Sequence, residues 1–176
     1  MAGFKGITNA VFDVLAEVAS GLSVAFSRKS FYEKSFMLEF GFKPWQINHT
    51  LQNLEKRKYF INKNGCFYPT RKAFLKINRR KLEKVKLTKK TKWDRQWRLI
   101  IFDIPESKRE IRDSLRGKLR EWGCYKIQHS VFVCPFNCEK EILKISNILD
   151  AHGWVYVLLT KSLGELEEKV RRYFKL

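Results

Sequence analysis

The sequence predicts an α+β chain in two domains, an N-terminal winged helix-turn-helix followed by a C-terminal ferredoxin-like βαββαβ domain. Three features carry that expectation. Apolar residues recur at helical steps through the first half and end in a hairpin pattern. Strand and helix patterns alternate through the second half. The positive charge is concentrated in the first half: residues 1–92 hold 20 basic and 6 acidic side chains (+14), and residues 93–176 hold 16 and 12 (+4). The 176 residues together carry a formal charge of +18, which costs self-repulsion and points to an acidic partner. With 44% apolar and 14% aromatic residues the chain can build a core, which excludes a disordered or low-complexity polymer.

In the first half, Val11, Phe12, Leu15, Val18, Ala19, Leu22 and Phe26 recur at steps of three and four, the stripe of an amphipathic helix. Ser30 with Glu33 forms a capping box, so a second helix is expected from there to about Phe40. Gly41 ends it, and Pro44 suits the first turn of a third helix whose buried stripe is Ile47, Leu51 and Leu54. Tyr59, Phe60 and Ile61, then Asn62-Lys63-Asn64-Gly65, then Cys66, Phe67 and Tyr68 read as a hairpin with an Asn-Gly turn. A basic helix follows from about Thr70. Residues 71–92 hold eleven basic side chains and one acid, Glu83.

Helix, helix, helix, hairpin is the order of a winged helix-turn-helix, in which the third helix enters the major groove of duplex DNA and the wing lies along the backbone. Gln46, His49, Asn53 and Arg57 are the base-reading candidates, because their donors and acceptors match base edges. Lys56, Lys58, Lys63, Arg71 and Lys72 are the phosphate-binding candidates, which supply affinity without sequence information. Taken alone, a polar stripe on an amphipathic helix is also what a solvated face looks like. The charge concentration and the hairpin favour DNA.

The expected domains are 1–85 for DNA binding, a linker over 86–96, and 97–176 for dimerisation. Residues 98–103 form a short buried strand. Ser107 with Glu110 caps a helix that turns Ile111, Leu115, Leu119 and Trp122 inward and ends at Gly123. Residues 124–135 supply two strands. Asn137 caps a helix burying Ile142, Ile145, Ile148 and Leu149, closed by Gly153. Residues 154–159 are a fourth strand, and Ser162 with Glu165 caps a last helix. This order is a split β-α-β unit. Its first and last strands are apolar on both faces, whereas its two helices cover one. The terminal helix or a second copy must cover the other, which favours a homodimer.

Ile100-Ile101-Phe102-Asp103-Ile104-Pro105 and Gln128-His129-Ser130-Val131-Phe132-Val133 resemble two related families. One is the small ferredoxin-fold endonuclease family of CRISPR adaptation. The other is the phenylacetate-catabolism repressor (PaaX) family, which joins a winged helix-turn-helix to a domain of this type and whose architecture spans the whole chain. Those repressors usually carry a further C-terminal region, and this sequence stops at Leu176. The nuclease resemblance implies a metal site between protomers at Asp103, where Mg²⁺ would activate water against a phosphodiester. The other reading is that Asp103 caps a turn or pairs with a basic neighbour.

Cys134 and Cys138, with Cys124 and His129 nearby, form one loose pair, whereas structural zinc sites show two close pairs; buried thiols are expected. His152 is placed in the last turn of its helix. Trp45, Trp93, Trp97 and Trp122 are read mainly as core anchors rather than base-stacking platforms. No uncharged apolar run approaches the roughly 18 residues of a membrane span. Asp13 and Glu17 break the most apolar early stretch and, with the lone Lys5, argue against a signal peptide. Four cysteines are too few for a disulfide scaffold, so a cytoplasmic protein with reduced thiols is expected. The expected function is a homodimeric, sequence-specific regulator of transcription bound to double-stranded DNA. The alternative is a Mg-dependent nuclease or a component of CRISPR spacer acquisition.

Overall fold

A computed structural model of the chain describes residues 4–18, 26–27, 41–87 and 93–176. The chain is mixed α and β and divides into two compact units, Met1–Lys81 and Leu82–Leu176.

The first unit holds α1 (Phe4–Val18), β1 (Phe26–Ser27), α2 (Pro44–Lys56), β2 (Phe60–Lys63), β3 (Cys66–Pro69) and the greater part of α3 (Arg71–Lys84). Ile7, Ala10, Val11 and Phe12 of α1 bury their stripe against Ile47, Leu51 and Leu54 of α2, Phe60 and Phe67 of the hairpin, and Ala73 and Ile77 of α3. The three strands form a small antiparallel sheet in the order β1-β3-β2. Asn64 (φ 51) and Gly65 (φ 80) both lie in the left-handed region, the requirement of the two-residue hairpin turn that Asn-Gly fits. The Asn62 side-chain oxygen accepts from the Gly65 N–H at 3.1 Å and tightens the turn. On α3, the Arg80 guanidinium donates to both carboxylate oxygens of Asp13 and to Asn9 Oδ1 (3.0 Å), fastening α3 to α1.

The expected helix from Ser30 to Phe40 lies outside the described residues, as do Ala19 and Leu22 of the first stripe. Phe26, read as the last position of that stripe, is instead in β1, opposite Phe67. A single aromatic at helical spacing is equally at home in a strand, and spacing alone does not separate the two.

The second unit follows the βαββαβ order with one further helix: β4 (Trp97–Phe102), α4 (Arg109–Glu121), β5 (Tyr125–Gln128), β6 (Val131–Cys134), α5 (Glu139–Leu149), β7 (Val155–Thr160) and α6 (Glu167–Phe174). The sheet is antiparallel in the order β5-β6-β4-β7, so β6 separates the two strands that α4 connects. On one face, Ile100 and Phe102 pack on Leu115, Leu119 and Trp122 from α4 and its end, and on Ile142, Ile145 and Leu149 from α5. On the other, Trp97 and Val133 are covered by Val170 and Phe174 of α6. The terminal helix covers only part of that face. Leu82, Val85 and Leu87 pack into this second core, so the unit begins earlier than the 86–96 linker placed from the sequence. Three apolar residues inside a basic run were hidden by the charge around them.

The helix starts differ from the capping patterns. A 3-10 turn at Glu106–Lys108 precedes α4, with Pro105 at its head in place of Ser107. Cys138 rather than Asn137 stands before α5. Before α6, Glu167 rather than Glu165 reaches back, accepting from the Leu163 N–H at 2.9 Å, while Ser162 Oγ accepts from the Gly164 N–H. The helix of Ile142 turns off at Asp150 (φ 50), ahead of Gly153. A tight lead-in turn satisfies the first N–H groups itself, so the box residues are not where the helix begins.

Trp97 is fully buried, donates its indole N–H to Glu167 Oε2 at 3.0 Å, and packs against Trp93 with ring centroids 4.6 Å apart. Trp97→Ala is expected to cost about 3–5 kcal/mol, read as a lowered denaturant midpoint.

Candidate nucleic-acid interface

Four residues of α2 are buried: Ile47, Thr50, Leu51 and Leu54. On the side away from them, Trp45, His49, Gln52 and Lys56 are exposed at helical spacing, Trp45 by 61%. Gln46 and Asn53 are half-buried on the flank between the two sides. Gln46 Oε1 accepts from the Lys43 N–H at 2.8 Å and so caps the helix start. Asn53 Nδ2 lies 3.2 Å from His49 Nδ1, within hydrogen-bonding distance. Arg57 follows the last helical residue, exposed, its N–H bonded to the Asn53 carbonyl. Of the four base-reading candidates, His49 and Asn53 are thus brought together, Gln46 is committed in part to capping, and Arg57 stands at the helix end. Sequence reasoning passed over Gln52. The signal was available, since helical spacing puts Gln52 on the side away from the stripe of Ile47, Leu51 and Leu54.

Four of the phosphate-binding candidates lie at the end of α2 or the start of α3, and the fifth, Lys63, lies on the hairpin. Lys56 and Lys58 are exposed at the C-terminal end of α2, where cations also suit the helix dipole. Lys63 lies on β2, its ammonium 6.0 Å from the Tyr68 ring centre. Arg71 and Lys72 open α3, whose first turn holds no acid. Cations at a helix N-terminus oppose the dipole, so helix stability does not account for them. Lys72 is engaged within the unit, donating to the Arg57 carbonyl at 3.0 Å and lying 4.5 Å over the Tyr59 ring. It pins the end of α2. Beside these groups, Thr8 and Asn9 of α1 with Asn53, Lys56 and Arg57 line a cavity of about 570 Å³.

In the second unit, Asp103 is exposed just past β4, its backbone N–H bonded to the Trp154 carbonyl. The next acid, Glu106, is taken by Arg112, which holds its carboxyl below the usual range, and by Arg109. Among the described residues no group of three or more His, Cys, Asp or Glu is placed to hold a metal ion. The site expected from the sequence would join Asp103 to its counterpart in a second protomer. Cys124, Cys134 and Cys138 are all buried. The three thiols interact with one another, which lowers the pKa of Cys134 and, with burial, raises those of Cys124 and Cys138. His129 is exposed. His152 lies beyond the end of α5 rather than in its last turn, 3.0 Å from Asn147 Oδ1.

Sequence reasoning also missed Arg98. Its side chain is 3% exposed, donates to both carboxylate oxygens of Asp94 (2.7 and 2.6 Å) and to the Gln96 carbonyl (2.9 Å), and pairs with Glu139 at 3.3 Å. This Arg locks the entry to β4 onto the start of α5.

The second unit, with its sheet order and its two helices on one face, is the part that can be compared with known proteins. Residues 90–171 match the central Cas2-like domain of the PaaX protein. The match spans just under half of the chain and supports a PaaX-like protein. The Cas2-like segment includes Arg98 and Asp103, but neither the α2 surface nor the hairpin. No curated protein and no solved structure matches the chain. Among the described residues no helix is long and apolar enough to cross a membrane.

Proposed function

We propose that this chain is a homodimeric regulator of transcription that binds a specific sequence in duplex DNA through its first unit, used as a winged helix-turn-helix. In this reading α2 lies in the major groove, and the β2–β3 hairpin follows the backbone. One observation carries it. A single small unit exposes His49, Gln52 and Lys56 along one helix, Arg57 and Lys58 at that helix's end, Lys63 on the hairpin and Arg71 at the start of α3. Such an array matches base-edge donors and acceptors bordered by phosphate ligands. The match to a PaaX domain is consistent with a regulator of that type. A two-fold dimer would read inverted half-sites about one helical turn, roughly 34–36 Å, apart.

Selection from a random duplex library tests the reading. It is expected to return a two-fold symmetric site. Gln52→Ala or Asn53→Ala should then relax preference at individual positions by about 1–3 kcal/mol, whereas Lys63→Ala should weaken all duplexes alike. Recovery of the same site with the same preferences by both α2 variants would remove α2 from the role of reader.

A further inference from the structure

We infer that Trp45 is a specificity-determining residue that reads thymine: from the exposed side of α2 its indole meets the 5-methyl group of one thymine per protomer in the major groove. The inference rests on the DNA-binding reading proposed above and adds an apolar contact that its polar candidates cannot make.

Trp45 is the second residue of α2, after Pro44, and is 61% exposed. It is not the core anchor expected of it, since the core of the first unit takes Ile47, Leu51 and Leu54 from this helix. The chain's other four tryptophans are engaged within the second unit. Trp97 and Trp122 are buried, Trp93 donates its indole N–H to the Gln96 carbonyl at 3.0 Å, and Lys108 lies 4.2 Å over the Trp154 ring. A tryptophan stabilises a fold by taking its large apolar surface out of water, and Trp45 forgoes most of that. The stability of the first unit does not account for it.

Its neighbours along the helix say what it faces. Steps of four, three and four residues put Trp45 on one exposed stripe with His49, Gln52 and Lys56. Trp45 stands at the N-terminal end of that stripe, the end from which a helix in the major groove reaches base edges. Lys43 is exposed just before α2, and the first turn holds no acid. Lys56, Arg57 and Lys58 are exposed at the other end. Cations at both ends, with no acid on the stripe, suit a polyanion.

One apolar side chain among hydrogen-bonding ones decides the kind of contact. A protein docking on this stripe would meet a single apolar group, where the centre of an interface collects several. A single-stranded nucleic acid stacks successive bases on successive aromatic rings, and the stripe has no second large ring. The major-groove edge of a duplex is mostly donors and acceptors, and the thymine methyl is its apolar group. His49, Gln52 and Lys56 suit the first; Trp45 suits the second.

Replacing thymine by uracil provides the test, because it removes the methyl and keeps the base pair. In the duplex selected by the unaltered chain, each thymine is exchanged in turn and affinity is measured by anisotropy at low salt. At one thymine per protomer the unaltered chain is expected to lose about fourfold in affinity, the worth of one buried methyl. Trp45→Ala should keep its circular dichroism, because the side chain is more than half exposed. It should bind the thymine duplex more weakly and bind the uracil duplex equally well. A selected site without thymine, no uracil-sensitive position, or the same sensitivity in Trp45→Ala overturns the inference and leaves the DNA reader standing. So does a folded Trp45→Ala chain that binds no duplex, since one methyl contact is not the whole of the affinity. A library that returns no site overturns the reader, and this inference with it. Photo-crosslinking reads the same contact without a substitution. With 5-iodouracil in place of the sensitive thymine, irradiation should attach the base to Trp45 of the unaltered chain, and attachment only elsewhere contradicts the contact.

Discussion

Arg98→Ala is expected to lower the stability of the second unit by about 3 kcal/mol, and its melting temperature by about 12 °C or more. The guanidinium is almost completely buried and is held from several sides, by Asp94, Glu139 and the Gln96 carbonyl. Removing it leaves the Glu139 carboxylate without its cation; Glu139 Oε2 is already buried with no hydrogen-bond partner. A buried group stripped of its partner costs more than the pair contributes. Calorimetry on the substituted chain measures the shift. A change under about 3 °C would mean that the Arg98 cluster does not hold β4 to α5.

The same cluster gives a pH dependence of known sign. The hydrogen bond from Arg98 holds the Asp94 carboxyl below its usual range. A carboxyl depressed on folding stabilises the fold above its unfolded pKa of about 4, and that contribution is lost as pH falls through the folded value. Asp94 is half exposed, so the effect is expected to be under about 1 kcal/mol. Asp94→Asn should therefore flatten the acid limb of the stability curve below about pH 4 and leave its shape near neutrality unchanged.

Lys56→Glu combined with Lys63→Glu is expected to weaken duplex binding on the order of a hundredfold at moderate salt, and to reduce the salt slope by about 2. Both side chains are exposed, one at the end of α2 and one on the hairpin, so the fold should tolerate the exchange. A filter-binding or anisotropy series at several salt concentrations checks both quantities. Loss of affinity with an unchanged slope would show that these lysines do not meet phosphates.

Much of the second unit was legible because its signals are redundant. Ile100, Phe102, Leu115, Leu119, Ile142 and Ile145 repeat at strand and helix periods, and each apolar position finds its place in one core. The hairpin was legible because Asn64 and Gly65 tolerate the positive φ that its turn demands. Arg98 was not, because a charged residue within an apolar strand reads as solvent-facing until Asp94 and Glu139 are seen to converge on it. Helix starts were misjudged where a 3-10 turn comes first, at Glu106 and at Gly164. The candidate site was legible as a charge concentration and less so as a face. Gln46 and Gln52 are the same residue type on one helix; spacing from Ile47, Leu51 and Leu54 turns Gln52 outward, and the burial of Thr50 leaves Gln46 at the flank.

Binding of a labelled random-sequence duplex across a salt series, in Mg²⁺ and in EDTA, tests the central claim most directly. If Lys56, Arg57, Lys58, Lys63 and Arg71 each neutralise a phosphate, the plot of log affinity against log salt should fall with a slope of about −4.5 per protomer. The DNA should stay intact and the slope unchanged in both buffers. Absence of binding, or a slope shallower than about −1, would contradict a duplex-binding first unit. Strand cleavage that requires Mg²⁺ and disappears in Asp103→Ala would contradict the regulator and make the chain a nuclease.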